Sequence, residues 1–174
     1  MSFLFGSRDP LADPGPLIDR VYFFVAYRLG SVAEAEDVTS EVFERAVRYR
    51  ASFDPRKGSF LAWLFGIARR LISEAAAARS AVPSEEVEAI APGDLAEDVA
   101  RRLTVAAAVA GLEERDRDLI ALRYGADLTA RQIGDVLGMT THAVEVALPR
   151  TLDRIRAKLG EDLDEQASGQ SVTA

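Results

Sequence analysis

The 174-residue chain has no cysteine, one histidine (His142), one tryptophan and two methionines. Without cysteine there is no disulfide and no thiol chemistry, and one histidine cannot build a multi-histidine metal site or proton relay. A metal would have to be held by carboxylates alone. Long apolar runs are missing too: none approaches the roughly 18 residues a membrane span needs, and Phe3-Leu4-Phe5 is far shorter than a signal-peptide core. The expectation is a cytoplasmic protein without membrane insertion. The alternation of a half-buried strand is never sustained, and Lys57-Gly58-Ser59 has the wrong order for a phosphate loop, with no glycine upstream. No carboxylate lies near a nucleophile or a base, so no catalytic residue is nominated; the reading is not an enzyme, with no cofactor.

Basic charge is also in deficit, with 21 Lys+Arg against 28 Asp+Glu and a net charge of −7. Taken whole, this argues against nucleic acid, whose phosphates are bound by Lys and Arg. The distribution of the charge points the other way. Residues 15–80 and 101–160 each carry ten basic against eight acidic residues, a net +2 apiece. Residues 81–100 hold six acids and no base, and residues 161–174 hold four acids and no base. The acidity is concentrated where the composition reads as linker and tail.

What remains is helical periodicity. Residues 1–16, with Pro10, Pro14 and Pro16, read as a disordered N-terminal segment, and a helix is expected over 17–29, closed by Gly30. Ser31 and Glu34 read as a capping box for a helix reaching Tyr49, with Ala35, Val38, Val42, Ala46 and Val47 along one face. The turn 53–58 breaks it, and Ser59 caps a helix with the stripe Phe60, Trp63, Leu64, Ile67, Leu71 and Ile72. Residues 80–100 read as a flexible acidic linker. Beyond it, Val105, Val109 and Leu112 give one stripe, and Leu119, Ile120 and Leu122 with Tyr124 a second. Ile133, Val136 and Leu137 give a third, and Val144, Leu148, Leu152, Ile155 and Leu159 a fourth. The fold class is all-α: a helical domain over 17–79 and a second over 101–160, joined by the linker and followed by an acidic tail over 161–174.

The segment 129–150 has the form of a helix-turn-helix: Thr129 and Gln132 as a capping box, Gly138 closing the short helix, and Thr140 or Thr141 capping the next. In that motif the second helix enters the major groove by its N-terminal residues, here Thr140, Thr141, His142 and Glu145. Pro149, inside that helix, is expected to kink it near Glu145.

Two further stretches are more specific: Ala35-Glu36-Asp37-Val38 continuing to Phe43, and Gly58-Ser59-Phe60-Leu61-Ala62-Trp63-Leu64-Phe65-Gly66-Ile67-Ala68-Arg69-Arg70. In this order, followed by the helix-turn-helix, they resemble the extracytoplasmic-function (ECF) bacterial sigma factors, with 17–79 similar to sigma region two and 101–159 to region four. The resemblance implies docking on core RNA polymerase by Asp37, Glu41, Phe43 and Glu44. It implies melting and reading of a promoter minus-ten element by Arg56, Lys57, Ser59, Trp63, Arg69 and Arg70, although the place of Trp63 in the apolar stripe points to core packing. Minus-thirty-five contacts would come from Arg131, Gln132, Thr140, Thr141, His142, Glu145 and Arg150. The implied partners are core polymerase, promoter DNA and an anti-sigma factor that holds the two regions together.

The chain also departs from the family. Arg70 stands where the family usually has asparagine, Ala75 to Ala78 where an arginine-rich helix end follows, and Glu145 and Ala147 where the recognition helix usually carries cations. Each missing phosphate contact removes about one unit from the salt dependence of binding. A second reading therefore stands beside the first: a sigma-like decoy or adaptor that binds polymerase or an anti-sigma factor but recognises DNA weakly.

Overall fold

The computed structural model describes the backbone of residues 10–80 and 108–169 and the side chains of 10–79 and 108–160. Ser80, the first residue of the linker expected over 80–100, is the last of the helix Phe60–Ser80; the rest of that linker and the stripe residue Val105 lie outside the described residues, as do residues 1–9. Among the described residues the chain is all helix, with no strand: α1 (Gly15–Leu29), α2 (Val32–Arg48), a 3-10 turn (Arg50–Ser52), α3 (Phe60–Ser80), α4 (Glu114–Ile120), a π-helical turn (Ala121–Gly125), α5 (Ala130–Leu137) and α6 (Thr141–Gly169).

α1 begins at Gly15, two residues before the expected start. Pro16 falls in the first turn, where a missing N–H costs nothing, and the Pro14 carbonyl accepts from the amides of Leu17 and Ile18 at 3.0 and 2.8 Å. Gly30 ends the helix in the left-handed region (φ 73°), its N–H reaching the Ala26 carbonyl. Ser31 caps α2 by accepting from the Glu34 amide, but the expected return bond of a capping box is absent. The Glu34 carboxylate pairs instead with Arg79 of α3, which also donates to the Leu29 carbonyl. A charge partner from another helix has outcompeted the local bond.

α2 buries Ala35, Thr39, Val42 and Ala46 at steps of four and three. Ser59 caps α3, its hydroxyl accepting from the Ala62 amide at 3.1 Å. α3 seats Leu64, Phe65, Ala68, Leu71 and Ile72 in the core, where the Phe65 ring meets Phe24 edge-on at 5.2 Å. In α4 and the following turn, Leu119, Ile120 and Leu122 are buried as their spacing predicts, whereas Tyr124 is 49% exposed. The reason is the π turn, in which the Ala126 amide bonds to the Ala121 carbonyl five residues back. The wider turn rotates Tyr124 off the apolar face, and Ala126 and Leu128 fill the core after it.

The Thr129–Gln132 capping box is complete in both directions, and Gly138 (φ 66°) closes α5. Thr140, not Thr141, caps α6, accepting from the Ala143 amide at 3.1 Å. α6 passes through the exposed Pro149 as one element and runs to Gly169, past the boundary expected near 160. Along it, Val144 packs in the main core and Ile155 in a smaller cluster with Ala108, Leu112 and Ile120. Thr151 donates to Asp116, which also pairs with the exposed Arg154, so α4 is tied to the middle of α6 by a buried hydrogen bond and an ion pair at the surface.

The main core is continuous from Val21, Phe24, Leu64 and Phe65 of the first module to Leu122, Leu128, Ile133 and Val144 of the second. The modules meet along two lines, α1 against the π turn and α3 against α5. The approach at the first is close enough that a Cβ on Gly125 would lie 2.9 Å from the Phe23 backbone oxygen.

Within the second module, a Cβ on Gly134 would lie 2.6 Å from the carbonyl oxygen of Met139, a backbone atom that cannot swing aside. Gly134→Ala is therefore expected to destabilise the chain by about 1–3 kcal/mol, the cost of overpacking, whereas Gly66→Ala meets open space inside α3 and is expected to be neutral or stabilising. Denaturant unfolding of the two variants checks the contrast; equal midpoints would contradict it.

Candidate functional site

Three surfaces carry the residues singled out in the sequence. On α2, Asp37, Glu41 and Glu44 are exposed and Phe43 is half-buried. Glu41 bonds to Arg45 one turn on at 2.9 Å, which raises the Arg45 pKa, and Arg45 reaches Glu74 of α3 at 3.2 Å. Phe43 and Glu44 also line a shallow groove with Ser40, Val47 and Arg48. Val47 is 65% exposed, although its helical spacing assigns it to the apolar face. The sequence gives Ser40 and Arg48 no site role and assigns Val47 to the core stripe, yet the three fall four before, four after and three after Glu44, which puts them on one helical face.

The second surface is the 53–59 turn with α3. Asp54 holds Arg56 through two 3.0 Å bonds to its guanidinium and a third from its amide. The guanidinium holds the Asp54 carboxyl below its usual range, and the carboxylate raises Arg56 in return. Lys57 is exposed, and the Ser59 hydroxyl is occupied by its cap. Trp63 is half-buried against Phe53 and Phe60, with ring centroids 5.6 and 5.4 Å away, as its place in the stripe predicts. Arg70 is exposed and pairs with Glu74 at 3.3 Å.

Arg69 is different. Its Nε donates to Asp118 Oδ2 of α4 at 2.7 Å, across the seam between the modules. The other oxygen of Asp118 lies 2.8 Å from Arg28 Nε, out of line for a hydrogen bond, and Arg28 is 3.6 Å from Glu114. Ser73 donates to Glu114 at 3.2 Å. The side chains of Arg28 and Asp118 are only 5% and 2% exposed. Burial lowers the Arg28 pKa, with Asp118 opposing the shift and Arg117 and Arg69 adding to it. Sequence reasoning misses Arg28, Glu114 and Asp118 because their partners lie on the other module, and no local spacing announces them.

The third surface is the start of α6. Thr141, His142, Glu145 and Arg150 are exposed there, as is Arg131 on α5. Thr140 and Gln132 also reach solvent, but each uses a side-chain oxygen for a helix cap. Among the described residues no group of three or more His, Asp or Glu comes together as a metal site, and no helix is long and apolar enough to cross a membrane.

Residues 16–81 match Sigma-70 region 2, and residues 108–157 match Sigma-70, region 4. The chain is 34% identical over 134 residues to the ECF RNA polymerase sigma factor ShbA of Streptomyces griseus, covering 71% of this chain and 68% of that protein. It is 28% identical to SigW of Bacillus subtilis, over 88% of this chain and 91% of that one, and 28% identical to BldN of Streptomyces coelicolor. The BldN match spans 83% of this chain but only 58% of the length of BldN. Two solved structures share the fold. The sigma factor RpoE in complex with the anti-sigma factor NepR from Bartonella quintana aligns with a TM-score of 0.64 at 20% identity, over 88% of this chain and 98% of that one. CnrH in complex with the cytosolic domain of CnrY aligns at 0.54 and 23% identity, over 90% and 85%. Two regions matched in order, with a relative above 30% identity aligned over most of its length, establish that the chain belongs to the ECF RNA polymerase sigma factors.

Proposed function

We propose that this chain acts as a working sigma factor: it binds core RNA polymerase through α2, directs it to a promoter set through α6, and helps open the minus-ten element with the 53–59 turn and α3. The observation that carries this reading is the exposed face of α2. Its core-facing residues Ala35, Thr39, Val42 and Ala46, with half-buried Phe43 beside them, account for packing, which leaves Asp37, Glu44 and Val47 exposed at and around the groove. Acidic groups bordering an apolar groove suit a protein partner with a basic rim. The exposed N-terminal turn of α6, behind a fully formed capping box, supports the promoter role. An anti-sigma partner is proposed from the two solved relatives, each in complex with the partner named above. A cytoplasmic location, where core polymerase and promoter DNA are met, belongs to the same proposal.

The decoy or adaptor reading is favoured by one observation: Arg56, Arg69 and Arg70 are all engaged by carboxylates, and exposed Glu145 stands among the residues offered to the groove. A pulldown of core polymerase followed by a promoter-opening assay separates the two. Polymerase binding with open-complex formation supports the working factor, and binding without opening supports the decoy.

The double reversal Asp37→Lys with Glu41→Lys is expected to weaken polymerase binding by about tenfold or more, because both carboxylates project from one helical face. Its unfolding midpoint should stay close to the wild type, since an exposed pair such as Glu41–Arg45 contributes at most about 1 kcal/mol. Undiminished polymerase affinity would remove α2 as the docking face.

Glu145→Lys is expected to raise general DNA affinity and to add about one unit to its salt dependence, without altering sequence preference. The exposed carboxylate lies next to half-buried Val146 and Ala147, which offer no polar companion for base reading. Binding-site selection checks this. A preference changed at a single base pair would instead identify Glu145 as accepting from a cytosine amino group.

A further inference from the structure

α1 carries two large rings for which its packing has no use. Val21, Phe24, Val25, Ala26 and Leu29 fill the core, yet Phe23 and Tyr27 are each 50% exposed. Steps of four, three and four through Pro16, Arg20, Phe23 and Tyr27 make these rings the far end of one stripe that begins in the first turn of the helix. Pro16 is exposed and Arg20 half-buried, so the stripe is open along its length. A third ring stands close by on the other module. A Cβ on Gly125 would lie 3.1 Å from Tyr27 Cδ2, and the π turn brings the preceding residue, Tyr124, to the surface.

The size of this face restricts what covers it. Three half-exposed rings present on the order of 300 Å² of aromatic surface. A stable interface between two proteins takes about 800 Å² from each partner, so these rings alone hold neither a second copy nor a separate protein. A segment of the same chain is under a different rule, because attachment keeps it at an effective concentration of about millimolar. The chain has an apolar segment that no helical stripe absorbs: Phe3-Leu4-Phe5, followed at residues 10–13 by a turn and bend just ahead of α1.

We propose that Phe3 and Phe5 dock along the open stripe of α1, Phe5 on Phe23 and Phe3 on Tyr27 beside Tyr124, which makes this aromatic face the receptor for the chain's own N-terminal segment. The lengths agree. Phe23 and Tyr27 lie eight and twelve residues beyond Gly15, about 12 and 18 Å along the helix axis. The five residues from Pro10 back to Phe5 span at most about 17 Å when extended, and the seven back to Phe3 about 23 Å. The spacings agree too. On an extended chain Phe3 and Phe5 project to the same side about 6.6 Å apart, against about 6 Å of rise between Phe23 and Tyr27. Residues 2–7 carry no charged side chain, so docking strips no charge of its water. Covering the rings from within the chain also keeps an exposed aromatic face from self-association.

The test uses the full chain, in which the absence of cysteine lets Ser2→Cys take a single nitroxide label. The ring signals of Phe23, Tyr27 and Tyr124 in isotope-enriched protein are expected to lose intensity relative to the same chain with the label reduced. Phe3→Ser with Phe5→Ser should restore those signals and raise the binding of an apolar fluorescent dye several-fold. Adding Tyr27→Ser should remove most of the dye gain; Tyr124→Ser serves the same purpose should circular dichroism show that Tyr27→Ser unfolds. Ring signals indifferent to the label overturn the docking, as does broadening that survives the two serines or dye binding that they leave unchanged. A dye gain that persists in the folded tyrosine variant overturns the aromatic face as the receptor. Spin-labelled chains without isotope, mixed with enriched chains without label, should leave the rings sharp. Equal broadening in that mixture assigns the face to a second copy and overturns the proposal.

Discussion

Asp118 sits 2% exposed between Arg28 and Arg69, and the docking of one helical module on the other turns on this cluster. Replacing a buried ion pair with apolar groups is often neutral, whereas removing one partner costs about 3–5 kcal/mol, because the charge left behind has nothing to face. The seam thus tolerates only a narrow set of dockings, those that bring both guanidiniums to one carboxylate. The apolar core that runs beneath it, from Phe24 and Phe65 to Leu122 and Ile133, supplies the driving force but little direction, since burial of apolar area is insensitive to angle. Gly125 adds a steric condition, because its bare Cα lets the π turn approach the Phe23 carbonyl.

The strength of each ion pair also separates the cations on the α3 side of the molecule. Exposed pairs contribute between zero and about 1 kcal/mol, so Asp54 on Arg56 and Glu74 on Arg70 are weak competitors for a polyanion that offers many phosphates at once. Asp54 also accepts the Arg56 amide, which makes that pair a means of shaping the turn as much as of neutralising it. On these magnitudes the acidic neighbours of Arg56 and Arg70 do not argue for a lost DNA function. The pairing of Arg69 differs in that its acceptor, Asp118, is buried and lies on the other module.

Much of this architecture is legible in the sequence, and the limits have a pattern. The helices, the Thr129–Gln132 box, the closing glycines at 30 and 138 and the buried stripes of α2 and α3 follow from local periodicity and capping, which depend on residues within a few positions of each other. Sequence and structure part where a distant partner intervenes. Local spacing makes Glu34 the second half of a capping box, whereas the folded chain gives it to Arg79, 45 residues away. Tyr124 belongs to an apolar stripe by its spacing, but a π turn displaces it, and nothing in a 3.6-residue period anticipates one extra residue in a turn. Of the candidate site, the exposed residues of α2 and α6 are identifiable by their absence from the core pattern. The acceptor of Arg69 is not, because Asp118 reads locally as an ordinary helix acid between Arg117 and Leu119.

A contact that joins the modules has a thermodynamic consequence independent of its exact strength. A ligand that binds the separated modules better than the joined ones favours the open arrangement by the same factor by which opening favours that ligand. Any partner that binds the separated modules, as a polymerase engaging α2 and α6 at distant points would, shifts the chain toward that arrangement. A partner that clasps both modules does the reverse. Opening the seam would expose the apolar core that the modules share, so a partner that separates them has to cover that surface as well as replace the ion pairs.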